Sequence, residues 1–215
     1  MSDAANKRSF DITVSTTAIL VLAPLLLCIT VLVAITSRGG PFFRQTRVGR
    51  NRRPFRILKF RTMAVRPDAV SGSFDAGDQS RVTRIGGVLR RTKLDELPQL
   101  WNVLVGDMSL VGPRPEVPKW TEVHRTRWDR VLSVRPGLTD PASIRYRDEE
   151  SILAASDDPE STYRDEILPR KLDLAEAYVR DRSFLEDLKL LFRTVRAVLG
   201  PGTGSGTPDG RESPQ

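Results

Sequence analysis

The chain has 215 residues, enough for one modest domain that buries a core without covalent staples. Its 34 lysines and arginines against 27 acids leave a formal charge of +7, which favours anionic partners: nucleic acid, phosphates or an anionic membrane face. One cysteine excludes an intrachain disulfide, and one histidine argues against a His-rich zinc site or a Ser-His-Asp triad, so a metal would be oxygen-ligated, which suits magnesium.

Residues Ile12 to Ser37 carry no charge, and a spanning helix needs roughly 20 apolar residues. Three readings compete: a secretory signal, a single spanning helix, and a segment that enters the bilayer, bends and returns. The run is long for a signal and no clean small-x-small cleavage site follows. Pro24 near the middle removes one helix hydrogen bond, and basic residues flank both ends (Lys7 and Arg8 before; Arg38, Arg44, Arg47, Arg50, Arg52 and Arg53 after). These two features favour the re-entrant segment and leave the spanning helix open.

Two short runs follow, Phe42 to Val48 and Pro54 to Met63, around a Gly49-Arg50-Asn51-Arg52-Arg53 turn, which reads as a β-hairpin. The turn arginines read as a solvated, membrane-facing surface. Lys59 and Arg61, interleaved with Phe60, are better candidates for a phosphate site. Residues 64–80 read as a long polar loop. Ile85, Val88 and Leu89 then recur at helical spacing among Arg84, Arg90 and Arg91, and the last third is mostly helical, with "RPGLTDPASI" as a turn-rich connection and a break near Pro169. Ser183 and Glu186 make a capping-box pattern before a final amphipathic helix, and the residues from Gly200 read as a disordered tail.

The stretch "RRTKLDELPQLWNVLVGDMSLVGPRPE" sets Asp95 beside Glu96. Thr92 and Asp95 match a capping box, so a purely structural role at a helix start competes with a chemical one. Leu97, Leu100, Trp101 and Leu104 follow at the spacing of a helix face packed on the core. A helix N-terminus also favours anions and keeps a carboxylate ionised. Adjacent helical side chains point about 100° apart, so one carboxylate can attack phosphorus while the other holds a metal or a proton. Attack of an anion on a diphosphate needs cations, which magnesium and nearby Lys or Arg supply.

"GGPFFRQTRVGRNRRPFRILKFRTM", "RVTRIGGVLRRTKLDELPQLWNVLVGDMSLVGPRPE" and "RPGLT" together resemble the bacterial sugar transferase family, the monotopic phosphoglycosyl transferases, from about Lys7 to Leu199. The resemblance implies a mainly helical α/β fold with a short β-hairpin or small sheet, anchored by an N-terminal re-entrant helix-break-helix. It implies a membrane segment over 1–37, a cytoplasmic transferase domain over 38–199 and a tail over 200–215. Asp95 matches the nucleophile that attacks the β-phosphate of a UDP-sugar and releases UMP; polyprenol (undecaprenyl) phosphate then takes the phosphosugar, with magnesium required. Glu96 matches the second member of the pair, a metal ligand or acid/base group beside Asp95. Arg114 matches the arginine of the Pro-Arg-Pro element, expected near the nucleotide or phosphates, and Lys59, Arg61, Arg90 and Arg91 are the further substrate-binding candidates. The implied partners are the UDP-sugar, the polyprenyl phosphate and the lipid bilayer, with no nucleic acid; a homodimer is left open. The implied location is the cytoplasmic face of the inner membrane. Two departures stand out. Ala23-Pro24 replaces the family's Ser-Pro at the membrane break, and Asp140-Pro141-Ala142-Ser143 replaces Gly-Trp-Ala-Gln.

Two other functions fit parts of the pattern. A glycosyltransferase that moves sugar without phosphate would release UDP. A basic adaptor or nucleic-acid binder would fit the charge but has no use for the adjacent carboxylates.

Overall fold

A computed structural model describes residues 2–65 and 80–199. The tail expected from Gly200, and all of the expected polar loop except its ends, lie outside the described residues. Where that loop begins and ends, Met63 bridges Val82 and the Ala64 N–H donates to the Arg81 carbonyl at 2.9 Å.

The chain opens with helix α1 (Ser2–Thr36), which continues through Pro24; the expected break does not interrupt it. It is long and apolar enough to cross a membrane. Its buried residues recur at four-residue spacing near each end, Asp11 with Ser15 and Ile29 with Val33. The outward face exposes Leu20, Val21, Leu27 and Ile35.

Strands β1 (Phe42–Val48) and β2 (Pro54–Phe60) pair antiparallel as the expected hairpin, Phe42 opposite Phe60 and Val48 opposite Pro54. Helix α2 (Arg84–Thr92) is capped by Thr83, whose hydroxyl accepts the Gly86 N–H at 2.9 Å. A Cβ on Gly86 would lie 2.1 Å from the Thr62 carbonyl oxygen, so only glycine lets α2 meet the segment after β2 this closely. Helix α3 (Gln99–Val105) follows, then β3 (Ser109–Val111). Helices α4 (Pro118–Val123) and α5 (Arg125–Val131) precede β4 (Gly137–Thr139). The last three residues of "RPGLT" thus form a strand, parallel to β3. A Cβ on Gly137 would sit 2.1 Å from the Gly112 nitrogen; the glycine that disguises this strand in the sequence is what allows it.

The chain closes with α6 (Pro141–Arg145), α7 (Glu149–Ala154), α8 (Pro159–Thr162), α9 (Leu168–Asp181) and α10 (Phe184–Leu199). The break expected near Pro169 becomes a π-type turn, Tyr163–Ile167, that runs into α9 with Pro169 in its first turn. Ser183 caps α10 as expected, accepting the Glu186 N–H at 3.2 Å. One core gathers Trp120, Trp128, Leu153, Ile167 and Leu172; a second gathers Ile57, Val103, Met108, Leu110 and Leu190 against the first half of α1; a third sets Ile29 and Val33 of α1 on Phe60 and Leu89.

Polar contacts fasten the start of α1. Lys7 pairs with Asp187, Arg8 donates to the carbonyls of Val103 and Leu104 at 2.6 and 2.8 Å, and buried Asp11 accepts the Leu110 N–H at 3.1 Å. Asn102 ties α3 to β2. Its amide donates to the Arg56 carbonyl at 2.9 Å and its oxygen accepts the Leu58 N–H at 3.0 Å, so β2 is paired by β1 on one edge and by one side chain on the other. Asn102→Ala strands both backbone groups and is expected to cost about 2 kcal/mol of unfolding free energy. Chemical denaturation of the detergent-solubilised chain checks this; an unchanged midpoint would mean the pairing carries no net stability.

Candidate active site

The adjacent carboxylates do not stand where a capping box would put them. Thr92 ends α2, and its hydroxyl donates back to the carbonyls of Val88 and Leu89 at 2.8 and 3.2 Å. Lys93 then adopts left-handed backbone (φ 59°), and Leu94–Glu96 form a single 3-10 turn. That turn leads through Leu97 and Pro98 into α3, so the pair precedes the helix by one turn. Of the face expected to pack inward, Leu100 is buried but Trp101 points out; Asn102 and Val103 take the inner positions.

Glu96 is held by two cations from distant segments. Arg114 donates Nη2 to Oε1 at 2.5 Å and Nη1 to Oε2 at 3.3 Å, a two-pronged grip, and Lys59 donates Nζ to Oε1 at 2.8 Å. Burial works against the charge of Glu96, yet the pull of Arg114 and Lys59 and their hydrogen bonds hold its carboxyl well below the usual range. Burial draws the Lys59 ammonium down, with Glu96 opposing. Asp95 goes the other way. It is 7% exposed, and its Oδ1 has no hydrogen-bond partner among the described residues. Burial pushes its carboxyl up against the pull of Lys59, with Glu96 adding repulsion. The expected depression of the Asp95 carboxyl by a helix start is not seen, because the loss of water outweighs the local positive field.

Arg114 owes its position to the short parallel sheet. It follows β3, its N–H donates to Asp140 Oδ2 at 3.2 Å, and the Pro113 carbonyl accepts the Gly137 N–H at 2.9 Å. Asp140 Oδ1 also caps α6 through the Ser143 N–H at 2.6 Å. The Asp-Pro pair at a helix start is the sequence signal for this role, which the departure from the family pattern obscures. Gln99 was also unforeseen. It lies four residues after Asp95, is buried, and its Nε2 has no partner among the described residues; the i, i+4 spacing was the available signal. The void behind Arg114, about 20 Å³, is far too small for a nucleotide sugar.

The other candidate cations are engaged elsewhere. Arg61 staples the turn after α1, donating to the carbonyls of Gly39, Gly40 and Phe42, each at 2.9 Å. Arg90 donates to Thr62 Oγ1 at 3.0 Å and pairs with Glu150. Arg91 is exposed. Asp95, Glu96, Lys59 and Arg114 form the cluster; Arg61, Arg90 and Arg91 take no part in its hydrogen bonds.

For a metal, the donor set is hard and small. Among the described residues no group of three or more metal-binding side chains gathers. Magnesium typically takes one or two carboxylates and completes its shell with water and substrate phosphate. The unpartnered oxygen of Asp95 beside the Glu96 carboxylate fits that demand.

The family model for bacterial sugar transferases matches residues 2–201. The chain belongs to that family. Among curated relatives, it is 36% identical over 193 residues to the UDP-glucose:undecaprenyl-phosphate glucose-1-phosphate transferase of Escherichia coli (strain K12), covering 88% of this chain and 39% of that protein. It is 35% identical over 208 residues to the exopolysaccharide production protein ExoY of Sinorhizobium fredii, covering 90% and 85%. It is 37% identical over 217 residues to the exopolysaccharide production protein PSS of Rhizobium leguminosarum bv. phaseoli, covering 94% and 99%. The chain thus spans about two fifths of the E. coli relative and most of the two exopolysaccharide proteins.

The opposed pKa directions predict opposed stability effects. The depressed carboxyl of Glu96 contributes stability that is present above the ordinary glutamate value of about 4.3 and is lost as pH falls through the folded value. Glu96→Gln should therefore lower the unfolding free energy at pH 7 by about 2 kcal/mol, below the full ~3–5 of a broken buried pair because Arg114 keeps some solvent contact. The gap should close in acid. Asp95, with its raised carboxyl, favours folding at pH below the ordinary aspartate value and loses that contribution as pH rises through the folded value. Asp95→Asn should be neutral to stabilising at pH 7. Thermal melts of both variants between pH 3 and 8 check the pair of signs.

Proposed function

We propose that this chain transfers a sugar-1-phosphate from a UDP-sugar to a polyprenyl phosphate, releasing UMP, at the cytoplasmic face of a bacterial inner membrane. The names of relatives support the reaction class: they include undecaprenyl-phosphate transferases of glucose phosphate and of N-acetylgalactosamine phosphate. Because those names differ in the sugar, the donor sugar is not assigned. The observation that carries the reading is the division within the carboxylate pair, Asp95 unpartnered and Glu96 gripped by Arg114 and Lys59.

In this mechanism the free Asp95 oxygen attacks the sugar-bearing phosphorus of the donor. The bond from that phosphorus to the bridging oxygen breaks, and UMP leaves with the oxygen. An oxygen of the acceptor phosphate then attacks the same phosphorus and breaks its bond to Asp95, which returns as carboxylate. Glu96 keeps Arg114 and Lys59 beside the reacting phosphates, where their remaining N–H groups offset developing negative charge. Magnesium, held by Asp95 and Glu96 with the diphosphate, would supply further charge neutralisation.

The anchor is read as re-entrant. Both halves of α1 pack on the same globular body: Lys7, Arg8 and Asp11 on β3, α3 and α10, and Ile29 and Val33 on Phe60 and Leu89. A folded domain sits on one side of a bilayer, so contacts at both ends favour an entry that returns. Exposed Phe184, Leu185, Leu188, Phe192 and Val195 on α10 give the domain a further apolar face for lipid.

Two outcomes test these readings. With a donor labelled in its sugar and no acceptor, the native chain should gain the mass of one phosphosugar and release UMP. Asp95→Asn should do neither while staying folded; a native enzyme that releases UMP only with both substrates present, and never carries an adduct, would mean direct transfer. For topology, a cysteine placed at Ser2 should react with an impermeant reagent only after the inner membrane is opened. Labelling in intact cells with a permeable outer membrane would instead mean a spanning helix.

A further inference from the structure

The hairpin turn and the end of α3 enclose an open cavity of about 440 Å³, lined by Arg50, Arg53 and Arg135 together with Phe55, Gly106 and Asp107. It is not the carboxylate site. Phe55 and Lys59 lie four residues apart on β2, about 13 Å at the rise of a strand, and Gly106 closes the end of α3 opposite to Asp95 and Glu96.

The cavity gathers positive charge without an internal partner. Among the described residues, neither the Arg50 nor the Arg53 side chain has a hydrogen-bond or ion-pair partner. Arg135 donates Nε to the Gly106 carbonyl at 2.9 Å and pairs with no carboxylate among the described residues. Its charge is disfavoured by burial and by the nearby Arg8 and Arg50. Asp107 is the acidic member of the wall, and its carboxylate accepts from Asn102 at 3.3 Å.

The turn is built to present these groups. Asn51 and Arg52 both adopt left-handed backbone, φ 55° and 59°, a conformation that side chains other than glycine rarely take. The strained turn is pinned from outside: the Asn51 N–H donates to the Leu132 carbonyl at 2.7 Å, and Arg52 pairs with Asp129 at 2.5 Å and Glu122 at 3.0 Å. One arginine of the run is thereby turned away to acids, while the two beside it line the cavity. The basic turn is therefore not a uniformly solvated surface.

We propose that this cavity binds the phosphate of an anionic phospholipid headgroup. Guanidinium forks suit phosphate oxygens, and Phe55 supplies an apolar wall. The lipid source follows from Arg8, which lies beside Gly106 of the cavity wall, bonded to the Val103 and Leu104 carbonyls, and stands four residues before the uncharged stretch that begins at Ile12. Free phosphate shares the chemistry, so the test separates the two.

The full chain is reconstituted in phosphatidylcholine nanodiscs with or without phosphatidylglycerol, and lipids retained on the released protein are counted by native mass spectrometry. The native chain should keep phosphatidylglycerol in preference to phosphatidylcholine. Arg50→Gln with Arg53→Gln should keep roughly thirtyfold less, as expected for removal of two basic groups at a membrane surface. Arg170→Gln with Arg180→Gln, an exposed pair of changes of equal charge on α9, should behave as native. Among the described residues neither Arg50 nor Arg53 makes a side-chain bond, so the double variant should melt as the native chain does. In phosphatidylcholine discs, line broadening of inorganic phosphate by ³¹P NMR that depends on Arg50 and Arg53 would keep the phosphate site and assign it a soluble source. Equal retention by all three proteins, without arginine-dependent phosphate binding, would overturn the proposal.

Discussion

The carboxylate of Glu96 between Arg114 and Lys59 is the interaction on which the rest of the site depends. It joins three segments that are far apart in sequence: β2, the turn after α2, and the chain leaving β3. A carboxylate this deeply buried would ordinarily give up its charge. Two cations at hydrogen-bond distance reverse that outcome, and removing either one would leave the others paired badly in a region that water reaches poorly. The bidentate contact also explains an arginine at position 114. A lysine would keep the charge but could not engage both Glu96 oxygens at once.

The scaffold acts on this cluster through backbone contact rather than side-chain bulk. β3 and β4 approach so closely at Gly112 and Gly137 that no side chain fits between them. That contact sets where Pro113 and Arg114 leave the sheet, and Asp140 fixes the Arg114 backbone from β4's far end. On the other side, α1 packs along α3, which follows the carboxylates, and along β3, which leads into Arg114. The long apolar helix and the carboxylate cluster therefore rest on the same packed body, and the helix is part of the domain rather than an appendage to it.

Much of this was legible in the residues, and the exceptions have physical causes. The hairpin was read correctly because alternation and the Gly-Arg-Asn-Arg-Arg turn agree. β4 was missed because a three-residue strand carrying glycine and preceded by proline looks like a turn; its pairing is imposed by tertiary contact. Thr92 followed by Asp95 satisfied a capping pattern, but the left-handed Lys93 ended one helix before the next began. Trp101 matched the apolar period yet faces outward, while Asn102 takes an inner position because it has backbone of β2 to satisfy. The Asp95–Glu96 pair stood out in the residues as a candidate for chemistry. That Glu96 would be bound and Asp95 left bare was not legible there, since it depends on Lys59 and Arg114 arriving from elsewhere.

Two neighbouring carboxylates in one low-dielectric site cannot both be comfortable as anions, and the structure resolves this unequally. Both cations bond to Glu96, whose charge is thereby secured. Asp95 is left desolvated and repelled by its neighbour, with an oxygen that has no donor. Environments that drive like groups apart in this way are how a site assigns different tasks to the same functional group. The stabilised member keeps the cations in place. The destabilised member gains most from a new bond to an electrophile or a metal, and a covalent bond through Asp95 would remove the carboxylate charge that burial disfavours.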